Sequence, residues 1–235
     1  MKKISLKKIL FTLLASSYLL IADTLPTSIT TTISKITQNG EIQLAANVPA
    51  GMSGIIVHNY GNALSAITHA SISQGEGKAK LTPYTAILHE NIPNIQTEAQ
   101  VGDKAIFGNF YDNALLIAPN QKVYRSITNA YKKTWLHPDA YALNFMKEGE
   151  TELSLEHLHN FSEHNQVGLV LFAMKNSLLI LDPISQKFIG NIPLQLSTDD
   201  AMAPFYARFE QMDVSTFGFS NKHYTPFYQS IAGLK

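Results

Sequence analysis

The hydrophobic and polar residues in the first half of the chain alternate with a period of two, which is typical of β-strands. Turn signals separate the alternating runs, among them Gln38-Asn39-Gly40 and Gln74-Gly75-Glu76-Gly77. Asn-Gly between two β-branched runs is a strong hairpin signal, so we expect a first hairpin there. The predicted strands are 28–33, 41–44, 54–58, 66–72, 79–82 and 101–107. Short strands in close succession predict a small closed barrel or sandwich.

The pattern changes after Asn109, where continuous apolar runs and helical periodicity replace the alternation. Residues 114–118 are apolar throughout and predict a buried strand. Asn120 is suited to cap a helix, and two more helices are predicted to begin at Pro138 and Ser154. Three further buried strands are predicted over 167–174, 178–181 and 188–192.

The two patterns together predict an α+β protein. A small N-terminal β-barrel or sandwich is followed by an α/β domain with about three helices and a mixed or antiparallel sheet. The expected division is a signal peptide at 1–22, a β-rich domain at 23–110 and an α+β domain at 111–235. A chain of 235 residues, 45% of them hydrophobic, is long enough to bury a substantial core without disulfides.

The first 22 residues have the pattern of an export signal. Four lysines precede an apolar run over residues 9–22, and Asp23 ends that run. A membrane-spanning helix needs about 20 apolar residues, so we expect cleavage near Asp23 and no transmembrane segment afterwards. The removed residues carry four lysines and no acid, which leaves 14 basic and 18 acidic residues and a net charge of −4. An exported protein, in the periplasm or at the cell surface, is the expectation.

Composition excludes several classes of function. The chain has no cysteine, which excludes disulfides, thiolate metal sites and thiol nucleophiles. Its 18 basic and 18 acidic residues give a net charge of zero, and basic residues form no long cluster beyond the first eight positions. Binding to nucleic acid requires clustered cations that neutralise phosphates, so we expect no nucleic-acid partner.

Histidines and carboxylates are densest in the third predicted helix. His159 and Glu163 share one face there, so two ligands could meet a metal ion. His157 and His159 are two positions apart and point away from each other, so the set does not converge. We interpret the group as a solvated helix face and expect no metal and no other cofactor. The full group is Glu156, His157, His159, Glu163 and His164.

No motif in the sequence supports catalysis. Gly51-Met52-Ser53-Gly54 is one residue short of a nucleophile elbow and precedes a strand, which favours a turn. Gly75-Glu76-Gly77-Lys78 lacks the spacing of a phosphate-binding loop and favours a hairpin tip. Asp199-Asp200 lacks the alternating spacing of a calcium loop. The aromatic residues Phe205 and Tyr206 favour core packing. We therefore expect no catalytic residue and no enzymatic activity.

Four segments stand in a recognisable order along the chain. They are 51–59, with Gly51-Met52-Ser53-Gly54 at its start, and 101–104, 114–120 and 135–139. Together they resemble the N-terminal domain family of bacterial plasminogen-binding protein A, known from Helicobacter-type bacteria. The resemblance implies export to the envelope or surface and capture of host plasminogen through lysine. It implies no enzyme.

The same resemblance implies that lysine residues bind plasminogen. Longer members of the family carry a Lys/Glu-rich tail after this domain, whereas the sequence here ends at Lys235. Lys235 presents an ammonium and a free α-carboxylate, the zwitterionic pair that the kringle modules of plasminogen recognise. Lys132 and Lys133 are further candidates, although a solvated end of the first helix explains them equally well. A periplasmic structural or assembly module without plasminogen binding remains the second functional hypothesis.

Overall fold

The computed structural model describes residues 24–84, 97–149, 153–196, 201–202, 205–208 and 231. The predicted signal peptide and its cleavage site near Asp23 lie outside the described residues. So do Lys235 and the acidic pair Asp199-Asp200.

Six antiparallel strands close into an N-terminal barrel, in the order β1-β2-β5-β4-β3-β6. Strand β6 pairs with both β1 and β3, so the closure leaves no free sheet edge. Side chains at alternate positions, such as Ile42, Ala79 and Phe107, are buried, as the alternating pattern predicts. The strands are β1 Ile29–Ile36, β2 Glu41–Leu44, β3 Ser53–Gly61, β4 Leu64–Gly75, β5 Lys78–Pro83 and β6 Lys104–Phe107. The predicted barrel is confirmed.

The Asn-Gly signal lies in the turn between β1 and β2. Asn39 has φ 71° and Gly40 has φ 73°, the left-handed conformation that these two residue types adopt most easily. Residues Gln38–Gly40 form a short 3₁₀ turn, and β1 then pairs with β2. The predicted first hairpin is therefore present.

A mixed five-stranded sheet follows the barrel, in the order β11-β10-β9-β7-β8. β7 runs parallel to both β8 and β9, whereas β10 pairs antiparallel with β9 and with β11. The strands are β7 Asn113–Ile117, β8 Thr134–Leu136, β9 Leu169–Ala173, β10 Ser177–Asp182 and β11 Lys187–Pro193. The short strand β8 was not predicted, because three residues carry no periodicity of their own.

Three helices connect these strands, and each begins where the sequence predicts. α1 spans Gln121–Ala130, α2 spans Pro138–Lys147 and α3 spans Leu155–Asn165. Asn120 Oδ1 accepts from the Val123 amide at 2.9 Å, and Ser154 Oγ accepts from the His157 amide at 3.0 Å.

Within the described part of the chain, no helix has the length and apolar character needed to cross a bilayer.

The sheet is covered on both faces. Leu116, Leu169 and Leu171 face α1 and share one hydrophobic cluster with barrel residues such as Phe107. The alternate positions on the same strands pack against α2 and α3 in a second cluster. This second cluster includes Leu115, Ile117, Phe172, Tyr141, Phe145, Leu158 and Phe161. One apolar core therefore runs from the barrel into the sheet.

Candidate functional site

The two lysines predicted as binding residues lie directly after α1 and have different surroundings. Lys132 is exposed. Lys133 is partly buried, and its Nζ donates a hydrogen bond to the Pro26 carbonyl oxygen at 3.0 Å. Burial lowers the pKa of Lys133, although the nearby Asp112 carboxylate opposes this. Lys132 thus faces solvent, whereas the ammonium of Lys133 holds the segment that precedes β1.

A buried carboxylate joins the barrel to the sheet. Asp182, at the end of β10, is fully buried. Its Oδ2 accepts from the Ser53 amide, from Ser53 Oγ and from the Tyr111 hydroxyl, each at 2.7 Å. Its Oδ1 accepts from the Ser185 amide at 2.9 Å. Four donors from three segments therefore satisfy one carboxylate, as a buried charge requires.

Two partners of Asp182 strengthen this junction. Ser185 Oγ donates to the Gly51 carbonyl oxygen at 2.6 Å, so the turn before β3 is bound twice to the sheet. Burial, together with the charge and hydrogen bond of Asp182, raises the pKa of Tyr111 well above its ordinary value. Tyr111 therefore remains a neutral donor. The motif Gly51-Met52-Ser53-Gly54 acts here as a structural turn, and its serine hydroxyl is committed to Asp182.

A cleft of about 530 Å³ opens between the barrel and the end of α3. Ile55 and Tyr84 line the barrel side, and Glu163 and His164 line the helix side. Phe110, in the connection between barrel and sheet, also lines the cleft and is 38% exposed. The cleft thus combines apolar and aromatic walls with one carboxylate and one imidazole, which suits a ligand with both apolar and polar parts.

The histidine-rich helix differs from its prediction at one position. The solvated-face interpretation is wrong for His157, which is only 4% exposed. Its Nδ1 lies 3.0 Å from the Tyr141 hydroxyl, and its ring packs against Tyr141 and Phe145. Its Nε2 lies 3.1 Å from a carboxylate oxygen of Glu148, at the end of α2. The buried imidazole belongs to the core because α3 turns this side toward α2.

The other two histidines of α3 bind separate carbonyl groups. His159 Nδ1 lies 3.1 Å from the Pro183 carbonyl oxygen, and His164 Nδ1 lies 2.7 Å from that of Asn160. His159 Nε2 also lies 3.6 Å from Glu163 Oε1, on the helix face where the sequence places both residues. Among the described residues, no three His, Cys, Asp or Glu side chains are arranged to hold a metal ion.

A polar cluster lies beyond the carboxyl ends of β7 and β8. Asp139 accepts from the Arg208 amide at 2.8 Å and from Arg208 Nε at 2.6 Å. Burial acts to raise the pKa of Asp139, but the hydrogen bonds and charge of Arg208 and the nearby His137 outweigh it and lower that pKa. The rings of His137, Tyr124 and Tyr206 contact one another, with ring centroids 5.2 to 6.0 Å apart.

The segment that contains Arg208 packs across the end of the sheet. The Tyr206 amide donates to the Ala118 carbonyl oxygen at 2.8 Å. Phe205 is fully buried and stacks on Tyr141. The expected core packing of Phe205 and Tyr206 is confirmed, and the polar cluster has a structural explanation: it holds this segment in place.

These features define a class of protein: an α+β fold in which a closed N-terminal barrel is joined to a mixed sheet through a buried carboxylate. The sequence matches the family described as plasminogen-binding protein pgbA N-terminal over residues 28–232. The match covers most of the chain, and the protein belongs to this family. The resemblance inferred from four short segments is confirmed.

Two curated relatives are the plasminogen-binding proteins PgbA of Helicobacter pylori strains J99 / ATCC 700824 and ATCC 700392 / 26695. Each is 24% identical to this chain over 196 residues, which cover 80% of this chain and 43% of the relative. The chain therefore spans less than half the length of these relatives. No solved structure shows a significant match to it.

Proposed function

We propose that this protein is exported to the cell envelope or surface and captures host plasminogen through lysine side chains. The observation that carries the proposal is the family match over residues 28–232, because two relatives across that region are plasminogen-binding proteins. The basic and apolar start of the chain supports export. We place the division into a β-rich and an α+β domain near residue 110.

The proposed binding residues are Lys235, with Lys132 and Lys133 as additional contacts. A lysine has about ten heavy atoms, and at about −0.5 kcal/mol per atom one terminal lysine gives a Kd of about 0.1–1 mM. Capture at lower concentrations needs further cations on the same surface or many copies of the protein. Lys132 is the better placed of the internal pair, because the ammonium of Lys133 is bonded to Pro26.

The proposed role is binding of plasminogen and does not include a catalysed reaction. Ser53 Oγ, in the motif nearest to a nucleophile elbow, is bonded to a buried carboxylate and not to an imidazole. The buried histidine His157 faces a tyrosine in the core. Both arrangements support a scaffold role for these two groups.

Binding of the full chain to immobilised plasminogen tests the proposal. We expect binding that a soluble lysine analogue removes, and weaker binding after deletion of Lys235 or after Lys132→Gln. Lys122→Gln is the matched control, because Lys122 is also exposed and lies on α1. Equal melting temperatures of the variants and the intact chain control for folding.

The alternative is a periplasmic structural or assembly module. It is favoured by the observation that more than half of each relative lies outside the matched part, so the binding named for them can reside elsewhere. Protease treatment of intact cells separates the two functions. Cleavage of the protein supports capture at the surface, whereas full protection together with absent plasminogen binding supports the periplasmic module.

A further inference from the structure

Three lysines lie on one outer face of the barrel. Lys35 is on β1, and Lys78 and Lys80 are on β5. Strand β2 runs between these two strands and carries Glu41 and Gln43. All five side chains are exposed, and we call this group the lysine face.

The strand register sets the spacing of these charges. Lys35 pairs with Gln43, and Gln43 pairs with Lys78, so the two lysines lie two strands apart. At about 4.8 Å per strand, their backbones are about 10 Å apart. Glu41 is directly opposite Lys80 on the neighbouring strand. Glu41 and Lys80 therefore occupy neighbouring positions on the same outer face, and no ion pair joins them.

The charged groups of the lysine face are available to a partner. None of the four charged side chains makes an ion pair or hydrogen bond with any residue that the structure describes. Lys133 differs, because its ammonium is bonded to Pro26. A partner that binds the lysine face would thus replace water and would not have to break an existing bond.

The lysine face is also held rigidly. Exposed and buried residues alternate along β2 and at the start of β5, and the inward neighbours Ile42 and Ala79 are at most 1% exposed. Strands β2 and β5 are each paired on both sides within the closed barrel, and the part of β1 that carries Lys35 is paired with β2. A rigid backbone lowers the entropy lost when several charges bind one partner together.

We infer that the lysine face is a docking surface for a partner that binds a cation and a carboxylate together, as a kringle module of plasminogen does. This inference rests on the proposed function and assigns it to a place on the barrel. The pair Lys80 and Glu41 supplies both charges that the zwitterionic pocket requires. Lys35 and Lys78 add contacts at fixed distances, which strengthens binding beyond that of one terminal lysine.

The test compares two triple variants of the full chain on immobilised plasminogen. The first variant removes the three cations of the lysine face and is Lys35→Gln/Lys78→Gln/Lys80→Gln. The second variant removes the same charge from exposed positions elsewhere and is Lys122→Gln/Lys147→Gln/Lys175→Gln. We expect at least tenfold weaker binding for the first variant and less than a twofold change for the second. Equal losses in both would overturn the inference, because net charge would then explain the binding. Unchanged melting temperatures control for folding.

A substitution of Glu41 distinguishes recognition of the Lys80 and Glu41 charges as a pair, here called paired recognition, from attraction by net positive charge alone. Glu41→Gln makes the chain more positive, so charge attraction alone would strengthen binding to an acidic surface. Paired recognition predicts weaker binding, by about threefold or more. Glu98→Gln, at another exposed position, is the control and should have little effect. Tighter binding of Glu41→Gln would count against the inference.

The possible results distinguish the inference from the proposed function. If deletion of Lys235 removes all binding and the first triple variant binds like the intact chain, plasminogen capture stands and the lysine face is not its site. If the intact chain shows no binding that a lysine analogue removes, both fail. If the first triple variant loses plasminogen binding and the chain without Lys235 retains most of it, the lysine face is supported as the binding site.

Discussion

The barrel and the five-stranded sheet bury their residues in different ways. Strand β2 of the barrel alternates exposed and buried positions, whereas all five residues of β9 in the sheet are buried. The sheet lies between the barrel and α1 on one face and α2 and α3 on the other, so its central strands cannot meet a partner. The barrel has one buried face and one face in solvent. A binding surface on this protein is therefore more readily placed on the barrel, and the sheet contributes mainly stability.

The two regions meet at Asp182, and its removal should have the largest effect. We expect Asp182→Ala to lower the free energy of unfolding by about 4 kcal/mol, because four donors lose a buried charged acceptor. Urea unfolding measures this loss. Asp112→Ala, at an exposed carboxylate in the same connection, should change stability by less than about 0.5 kcal/mol. Equal effects of the two variants would contradict the role assigned to Asp182.

The contrast between buried sheet and solvated barrel can be tested with one residue type. Leu171 on β9 is fully buried, whereas Leu64 at the start of β4 is 60% exposed. We expect Leu171→Ala to cost about 3 kcal/mol through lost burial and a cavity, and Leu64→Ala to cost less than about 0.5 kcal/mol. Thermal unfolding gives both values. A large cost at Leu64 would show that the barrel tip is packed against part of the chain.

Closure of the barrel depends on a close approach at Gly54. A Cβ there would lie 2.6 Å from the Ile106 carbonyl oxygen, on the neighbouring strand β6. We therefore expect Gly54→Ala to cost about 2 kcal/mol, because backbone must move. Gly190→Ala in the sheet is the control: its Cβ would meet the flexible end of Ile180 at 3.0 Å, and we expect less than about 1 kcal/mol. Amide exchange in β6 should increase only in the first variant.

The smallest expected effect concerns pH and the cluster at the end of the sheet. The pKa of Asp139 is lowered in the folded protein, so its contribution to stability is present above its ordinary value of about 3.9 and is lost as pH falls through the folded value. The stability difference between the native chain and Asp139→Asn should therefore shrink below about pH 4. Unfolding curves from about pH 6 to pH 3 measure it. A constant difference across that range would contradict the ion pair with Arg208.

Much of the local structure could be predicted because its causes are local. Asn120 and Ser154 cap the helices that follow them, and Asn39-Gly40 adopts the positive φ angles of its turn. A capping side chain bonds an amide three residues away, so a short stretch of sequence contains both partners. The burial of His157 was missed, because helical periodicity states which residues share a face and leaves open what that face packs against.

The sequence by itself determined the α+β class and the order of the strands and helices apart from β8, because periodicity, caps and turn residues act over a few positions. The resemblance of four short segments indicated the family. The tertiary structure decided the closure of the barrel by β6, the lysine face and the bonds of Asp182 to Ser53, a residue 129 positions away. Contacts of this kind depend on strand register and on the approach of distant segments. The free energy that selects them comes from packing the whole core, which no short stretch of sequence encodes.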